Sequence, residues 1–194
     1  MTLHTRARQT FEHAGTVLAL AVACSLPLVA QTQKPAPLPL PVPVPTVATS
    51  ALERLMPVVD GWTKGRLVSN RVDLSETCAY SFADAVYTAG DKKVNVTLAD
   101  TTGDQAALGT VATMVVTFGD GYSMLIDKTT TIKRLTLNGS PAAYRWNATT
   151  LNGEFIVVVG GRFVAKAEGA GVENIEVLRD FVEHVNLKAL GELK

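Results

Sequence analysis

Proline at every second position of residues 35–45 is the feature that most limits what this chain can fold into. The sequence there is P-A-P-L-P-L-P-V-P-V-P. Each proline fixes its own φ and removes a backbone donor, and it also pushes the preceding residue into an extended conformation. Helix and interior strand are therefore excluded. We predict polyproline II, which at about 3.1 Å per residue spans about 34 Å.

Residues 1–30 have the three parts of an export signal. Arg6 and Arg8 form a basic start, an apolar stretch follows, and small residues precede a polar segment. The apolar run is interrupted by Pro27 and falls short of the roughly 20 residues that a bilayer-spanning helix needs. We expect a secretory signal peptide, a mature chain that begins at Gln31, and a periplasmic or secreted protein.

Cys24 leaves a second interpretation of this signal open. Ala21-Val22-Ala23-Cys24 resembles a bacterial lipobox, in which small residues precede a cysteine that is lipidated. It departs from that pattern at Ala21, where leucine is usual, and at Val22, where a smaller residue is usual. A cut before Cys24 would also leave an apolar core of about seven residues, the lower limit for a signal. Cys24 is thus expected to be an apolar residue of the removed signal, and the alternative is a membrane-anchored lipoprotein.

Composition predicts one domain after the proline-rich segment. The chain has 194 residues, of which 47% are hydrophobic and 19% charged, and the stretch of roughly 145 residues that remains is enough for one hydrophobic core. We expect a signal peptide at 1–30, an extended linker at 31–49 and a single domain at 50–194. If the linker is only a spacer, a fragment that begins near Ser50 keeps its full thermal stability.

Charge and cysteine content exclude several classes of protein. The formal net charge is zero, so the electrostatic footprint of nucleic-acid binding is missing. Contact with a membrane is expected only if the N-terminus is an anchor. Because the two cysteines are Cys24 and Cys78, the folded part cannot close an internal disulfide or build a zinc site of four cysteines.

The first part of the domain predicts a helix and a hairpin. Ser50 followed by Glu53 matches a capping box, which would open a short helix that Pro57 ends. Residues 74–88 place Cys78, Tyr80 and Phe82 at alternate positions, as a strand does, and "VNVTLAD" is the next strand.

An apolar helix is predicted over residues 104–118. Asp104 is available as its cap and Gly119 as its stop. Only three threonines, spaced by three and four residues, form a polar stripe, so this helix is expected to be buried on most sides. The threonines are Thr110, Thr113 and Thr117.

Four more strands and a closing helix complete the prediction. Asn138-Gly139 and Gly160-Gly161 each mark a hairpin turn between two strand-like segments. From about Val172 onward, apolar residues recur every three or four positions, as in an amphipathic helix. The order ββαββββα lacks the alternation that a parallel sheet needs. We therefore predict an α+β fold with an antiparallel sheet of about six strands and helices packed on it.

A resemblance accompanies these elements. The segments "AVYTAGDKKVNVTLADTT", "TTTIKRLTLNGSPAAYRW" and "VVVGGRFVAKAEGAGVENIEVLRDFVEHVNLKAL" resemble an uncharacterised family of exported bacterial envelope proteins. The order of elements is also similar to the Mog1/PsbP-like α/β sandwich. These motifs are structural and carry no catalytic signature, so the resemblance implies a fold and an envelope location, without a site.

No residue constellation predicts catalysis, a metal or a cofactor. His184 lies near the end of the last helix, as a cap residue does, and Cys78 lies on an apolar strand face. "EGAGVEN" has Asn174 where a dinucleotide loop has its third glycine, so it predicts a strand-to-helix turn. Four aspartates flank the apolar helix without calcium-loop spacing and are expected to be solvated caps and turns. They are Asp100, Asp104, Asp120 and Asp127.

Export, a spacer and the lack of converging polar chemistry together predict a non-enzymatic module. We expect it to bind an envelope protein or an apolar ligand through its sheet or around the helix at 104–118. The alternatives are a lipid-anchored structural component of the envelope and a hydrolase.

Overall fold

The computed structural model describes residues 45–73, 79–102, 112, 115, 117 and 119–194. Within these residues, eight strands form one sheet in which every neighbouring pair is antiparallel. The spatial order is β1-β2-β3-β8-β7-β6-β5-β4, so two meanders meet where β8 pairs with β3. The strands are β1 Thr63–Asp73, β2 Ala79–Ala89, β3 Lys92–Asp100, β4 Ser123–Leu125, β5 Thr130–Leu137, β6 Ser140–Asn147, β7 Asn152–Val159 and β8 Phe163–Ala170.

The fold is α+β, as predicted, but the sheet has eight strands and the prediction of about six was wrong. The two strands missing from the prediction are β1 and β4, and they are the two edges of the sheet. An edge strand has one neighbour and much exposed surface, so its sequence lacks the apolar alternation of an interior strand. All but three of the eleven residues of β1 are exposed, and β4 has three residues, all exposed.

Three short helices have described bounds. They are α1 Thr49–Glu53, α2 Ile175–Glu183 and α3 Leu187–Gly191. The capping box at Ser50 was wrong, because the N-cap of α1 is Ala48 and makes no side-chain hydrogen bond. Glu53 instead accepts a hydrogen bond from the Ser69 hydroxyl at 2.5 Å. None of the helices in the described part of the chain is both long and apolar enough to span a membrane.

One face of the sheet, here called the covered face, carries the main core. Interior strands β2, β3, β7 and β8 direct alternate apolar side chains to this face, where α1, α2 and α3 pack on them. Phe181 of α2 is fully buried between Trp62 and Tyr87, with ring centroids 5.0 Å from each. Val47 belongs to the same core and is 5% exposed. The core therefore includes a residue that precedes Ser50, the predicted start of the domain.

The other face of the sheet, here called the open face, has a smaller apolar cluster. Ala112 and Val115 are helical and buried, and they pack on apolar residues of β6, β7 and β8. Arg134 of β5 donates from Nε to the carbonyl oxygen of Val115 at 2.8 Å. Most of the helix predicted at 104–118 lies outside the described residues. Its described positions are Ala112, Val115 and Thr117, all of which are helical, and Thr117 is exposed, in agreement with the prediction.

The turn between β5 and β6 is the one that Asn138-Gly139 predicts. Both residues have positive φ, 50° and 78°, and Leu137 pairs with Ser140 directly across the turn. A two-residue turn with positive φ at both positions has a twist that matches the twist of the flanking strands. Asparagine and glycine adopt this conformation at the least energetic cost. Side-chain alternation along β6, and with it the face on which each residue lies, follows from this register.

Candidate functional site

Polar side chains form a continuous band across the open face. Strand register places Arg145 opposite Glu154, Glu154 opposite Glu168, and Glu168 opposite Asn95. The next row on the same face places Lys166 opposite Thr97, and Thr97 opposite Asp84. We call this band, with the three residues that continue it on β5, β6 and β7, the polar strip. Its residues are Asp84, Asn95, Thr97, Thr130, Arg145, Asn147, Asn152, Glu154, Lys166 and Glu168.

A cavity of about 250 Å³ lies at the β2 end of the polar strip. Its aromatic part is Tyr80 and Phe82, neighbours on the open face of β2, whose rings stack with centroids 6.0 Å apart and planes at 30°. The rest of the lining is polar. It consists of Asp84, Asn95, Thr97, Lys166 and Glu168.

A second cavity of about 250 Å³ lies at the other end of the strip and is lined by Thr130, Arg145, Asn147 and Asn152. Glu154 lies between the two cavities, since it is in register with Arg145 on one side and Glu168 on the other. The strip crosses six strands from β5 to β2. With about 4.8 Å between neighbouring strands, its length is about 24 Å.

The charges of the strip are paired with one another. Arg145 contacts Glu154 at 3.0 Å, and Lys166 contacts Glu168 at 2.9 Å. Asp84, the fifth charged group, accepts a hydrogen bond from the Thr97 hydroxyl at 2.5 Å. Two cations and three anions make the strip nearly neutral. Its electrostatics therefore favour neither a polyanion nor a polycation.

Glu154 is the most buried of these carboxylates. Burial raises its pKa above the ordinary range, and the facing carboxylate of Glu168 raises it further, while Arg145 and Lys166 oppose the shift. A raised pKa at a pair of neighbouring carboxylates is also a feature of acid-base catalysis. Here, however, each carboxylate has its own cationic partner. The same pairing is found in ion pairs that only stabilise a fold.

Two side-chain amides of the strip have no hydrogen-bond partner in the part of the chain that the structure describes. They belong to Asn95 in the first cavity and Asn152 in the second. By contrast, Asn147 donates to Thr130 at 2.7 Å and accepts from the backbone of Thr149 and Thr150. Asn147 is therefore used by the fold, whereas Asn95 and Asn152 keep donors and acceptors for a ligand.

A larger cavity of about 480 Å³ lies beside the turn of β5 and β6 and the start of α3. Its polar groups are mostly engaged by the fold. Asn138 forms the turn, and Asn186 caps α3 by accepting from Ala189 N at 2.9 Å. Lys188 is the one charged residue in its lining. This cavity therefore offers less specific chemistry than the polar strip, although it is larger.

A buried ion pair lies away from the strip, at the end of β3. Asp100 is fully buried, and Arg162 contacts it through Nε at 2.8 Å and through a terminal nitrogen at 2.7 Å. Burial alone would raise the pKa of Asp100, but hydrogen bonds from Arg162, Val47 and Thr102 together with the Arg162 charge lower it below the usual range. The prediction that Asp100 is a solvated cap was wrong.

The same ion pair holds the start of the described chain. Val47 N donates to Asp100 at 2.8 Å, and the Val47 carbonyl accepts from the Ser81 hydroxyl at 2.9 Å. Arg162 also donates to the Pro45 carbonyl at 2.9 Å. Residues 45–47 are thereby fixed to β2, to β3 and to the turn between β7 and β8. We call this arrangement the Asp100–Arg162 clamp.

The remaining residues singled out from the sequence have structural roles or lie outside the described residues. His184 is the C-cap of α2. Asp120 pairs with Arg134, and Asp127 accepts backbone hydrogen bonds in the turn before β5. Cys24, Cys78 and Asp104 lie outside the described residues. No cluster of three or more metal-ligating side chains occurs among the residues with a described placement.

The turn after β8 is the strand-to-helix turn that the sequence predicts. Gly171 has φ of 71°, and Asn174 is the N-cap of α2, accepting from the backbone nitrogens of Glu176 and Val177. Asparagine is among the preferred N-cap residues. The residue that breaks the dinucleotide pattern is thus the one that begins the helix.

Comparison of the chain with family models, curated proteins and solved structures found no match. The site therefore rests on geometry alone. The sequence-based prediction did not include it, although a signal was present: Asn95 and Thr97 in β3, and Lys166 and Glu168 in β8, are polar residues at alternate positions within otherwise apolar strands.

Proposed function

We propose that the chain is an exported bacterial envelope protein whose domain binds a partner at the polar strip without catalysing a reaction. The observation that carries the proposal is the first cavity, where the stacked rings of Tyr80 and Phe82 are followed along the strands by Asp84 and Thr97 and then by the amide of Asn95. A concave site with apolar walls and a few placed polar groups is typical of ligand recognition. The lining supports a ligand that forms hydrogen bonds, in place of the wholly apolar ligand considered from the sequence.

Site-specific cross-linking in cells tests the binding face. Val86, which is exposed and pairs in register with Asn95, is replaced by p-benzoylphenylalanine, and a second strain carries the same group at Glu183, which is partly exposed on α2. We expect adducts with an envelope component from position 86 and none from position 183. Identical adducts from both positions, or none from position 86, would contradict the proposal.

The envelope location follows from the signal at residues 1–30 and is tested by the intact mass of the mature protein. We expect a chain that begins at Gln31 in the soluble envelope fraction. A chain that begins at Cys24 with added acyl mass would establish the lipoprotein alternative, and Cys24→Ser would then release the protein from membranes. A full-length chain in the cytoplasm would contradict export altogether.

A hydrolase is the second candidate, because Glu154 and Glu168 face each other and the pKa of Glu154 is raised. Hydrolysis by two carboxylates would need both side chains at the reacting bond. Turnover of a substrate that Glu168→Gln abolishes and Glu183→Gln leaves unchanged would establish it. The two glutamates are a matched pair, since each is partly exposed and 2.9 Å from its cation.

A further inference from the structure

We propose that the ligand of the polar strip is a neutral oligosaccharide, an inference that rests on the proposed function and names its ligand class. A sugar ring has an apolar face of C–H groups and a polar rim of hydroxyls. The first cavity has the complementary parts, with the Tyr80 and Phe82 rings next to the Asp84–Thr97 pair and the amide of Asn95 one step further along the strands. Aromatic side chains provide this kind of flat apolar surface at low entropic cost.

The charge of the strip disfavours ionic polymers. Arg145 and Lys166 are each paired with a glutamate within 3.0 Å. A polyanion such as a nucleic acid or a sulfated glycan binds through unpaired cations, and the strip has none among its described residues. For a polycation, two of the three carboxylates already have cationic partners, and Asp84 accepts from the Thr97 hydroxyl. A neutral ligand can bind without breaking these pairs.

The position of the strip favours a sugar over an extended peptide. Peptides that bind sheets usually pair with the backbone of an edge strand. The strip lies on the face of six strands whose backbone groups already pair with their neighbours, so it presents side chains alone. The amides of Asn95 in β3 and Asn152 in β7, which lie two strands apart, can pair with the hydroxyls of different rings.

The second cavity extends the site beyond one ring. Asn152 has an unpaired amide there, and Arg145 continues the polar surface toward Glu154. A single ring in the first cavity would leave Asn152 unused. We therefore expect binding to strengthen with the number of rings until a ligand reaches both cavities.

Titration of the isotope-labelled protein, followed by NMR, tests this inference. The probes are cellopentaose, chitopentaose and maltopentaose, with the corresponding monosaccharides for length and a heparin-derived pentasaccharide for charge. We expect saturable shifts of the side-chain amides of Asn95 and Asn152 with at least one neutral pentasaccharide. Its affinity should exceed that of its monosaccharide by at least about tenfold, which corresponds to about 1.4 kcal/mol.

Variants identify the contacts. Phe82→Ala and Asn95→Ala should each weaken binding by about tenfold, the loss expected for one stacking or hydrogen-bond contact. Replacing Asn95 removes less packing than replacing Phe82, so Asn95→Ala keeps the test valid if Phe82→Ala fails to fold. The matched control is Glu183→Gln, which should leave binding unchanged. Undiminished binding by both strip variants would overturn the inference.

The outcomes separate this inference from the proposed function. Adducts at position 86 without binding of any neutral pentasaccharide would overturn the sugar and leave the binding face standing. Stronger binding of the heparin-derived probe would likewise overturn the neutral ligand. A peptide adduct at position 86 would replace the sugar with a protein partner. The lack of any adduct would remove the proposed function itself.

Discussion

Four hydrogen bonds converge on the Asp100 carboxylate, from the backbone nitrogens of Val47 and Thr102 and from two nitrogens of Arg162. A fully buried carboxylate with this many donors is stabilised in its charged form. Removing one partner of such a pair leaves a buried charge without compensation, which is more costly than losing an exposed ion pair.

We predict that Asp100→Asn lowers the free energy of unfolding by about 3 kcal/mol. The control is Asp73→Asn, which breaks the Arg71–Asp73 pair, whose atoms are 2.9 Å apart and whose side chains are both exposed. The control should change the free energy of unfolding by less than about 1 kcal/mol. Urea denaturation measures both. Equal losses would mean that the clamp contributes no more than a surface pair.

The lowered pKa of Asp100 predicts how this contribution depends on pH. A carboxyl whose folded pKa lies below its unfolded value of about 3.9 stabilises the fold fully above that value. The stabilisation is lost as the pH falls through the folded pKa. The difference in unfolding free energy between the native protein and Asp100→Asn should therefore shrink as the pH falls from about 5 to 2. A constant difference over this range would contradict the lowered pKa.

The contribution of Glu154 to stability depends on pH with the opposite sign. Its raised pKa means that ionisation costs more in the folded protein than in the unfolded chain. Its contribution to stability is greatest below its unfolded pKa of about 4.3 and is lost as the pH rises through the folded pKa. Because the native protein and Asp100→Asn both contain Glu154, this effect cancels in their difference.

At the scale of elements, α2 is attached to the sheet through Phe181. This side chain is fully buried and contacts both Trp62 and Tyr87 edge to face. We predict that Phe181→Ala lowers the free energy of unfolding by about 3–5 kcal/mol. Val58→Ala is the control, because Val58 is 82% exposed, and it should be neutral within about 0.5 kcal/mol. A small loss at Phe181 would mean that α2 is not a principal part of the core.

Element type was predictable wherever a strand or helix buries a face. The interior strands β2, β3 and β5 to β8 have apolar runs or alternation, and α2 has its three-and-four spacing. The edges β1 and β4 were not predictable, because neither buries a full face. The long edge β1 carries Lys64, Arg66 and Arg71, and such charges protect an edge from pairing with other chains.

The site was predictable only in part. Polar residues at alternate positions, such as Asn95 in β3 and Lys166 in β8, are visible in the sequence. Their assembly depends on β8 returning to pair with β3, which are separated by more than sixty residues. No local pattern specifies that pairing or its register. The Asp100–Arg162 clamp was unpredictable for the same reason, since its partners also come from β3 and from the turn just before β8.

At the scale of the whole molecule, the clamp determines which residues at the N-terminal end of the domain contribute to its stability. Val47 is 5% exposed and bonded through both backbone groups. A protein that begins at Ser50 should therefore have a free energy of unfolding about 2 kcal/mol lower than one that begins at Gln31, through the loss of one buried valine. The expectation of unchanged stability near Ser50 is revised accordingly.

Three lengths of the protein, beginning at Gln31, Pro45 and Ser50, test this boundary by urea denaturation. A protein that begins at Pro45 keeps every contact of the clamp and should match the one that begins at Gln31. Equal stability for all three lengths would show that Val47 contributes little. A loss already at Pro45 would show that residues before it also pack on the domain.

The Asp100–Arg162 clamp also determines how the domain would respond to a mechanical load. Tension on the chain before Pro45 would first load the hydrogen bonds to Asp100, at the end of β3, and to Arg162, in the turn before β8. Both strands lie in the interior of the sheet with neighbours on both sides. A pull on an edge strand peels one ladder at a time, whereas a pull on interior strands is shared by the ladders on both sides. The clamp would therefore have to break before tension passed through α1 to the edge strand β1.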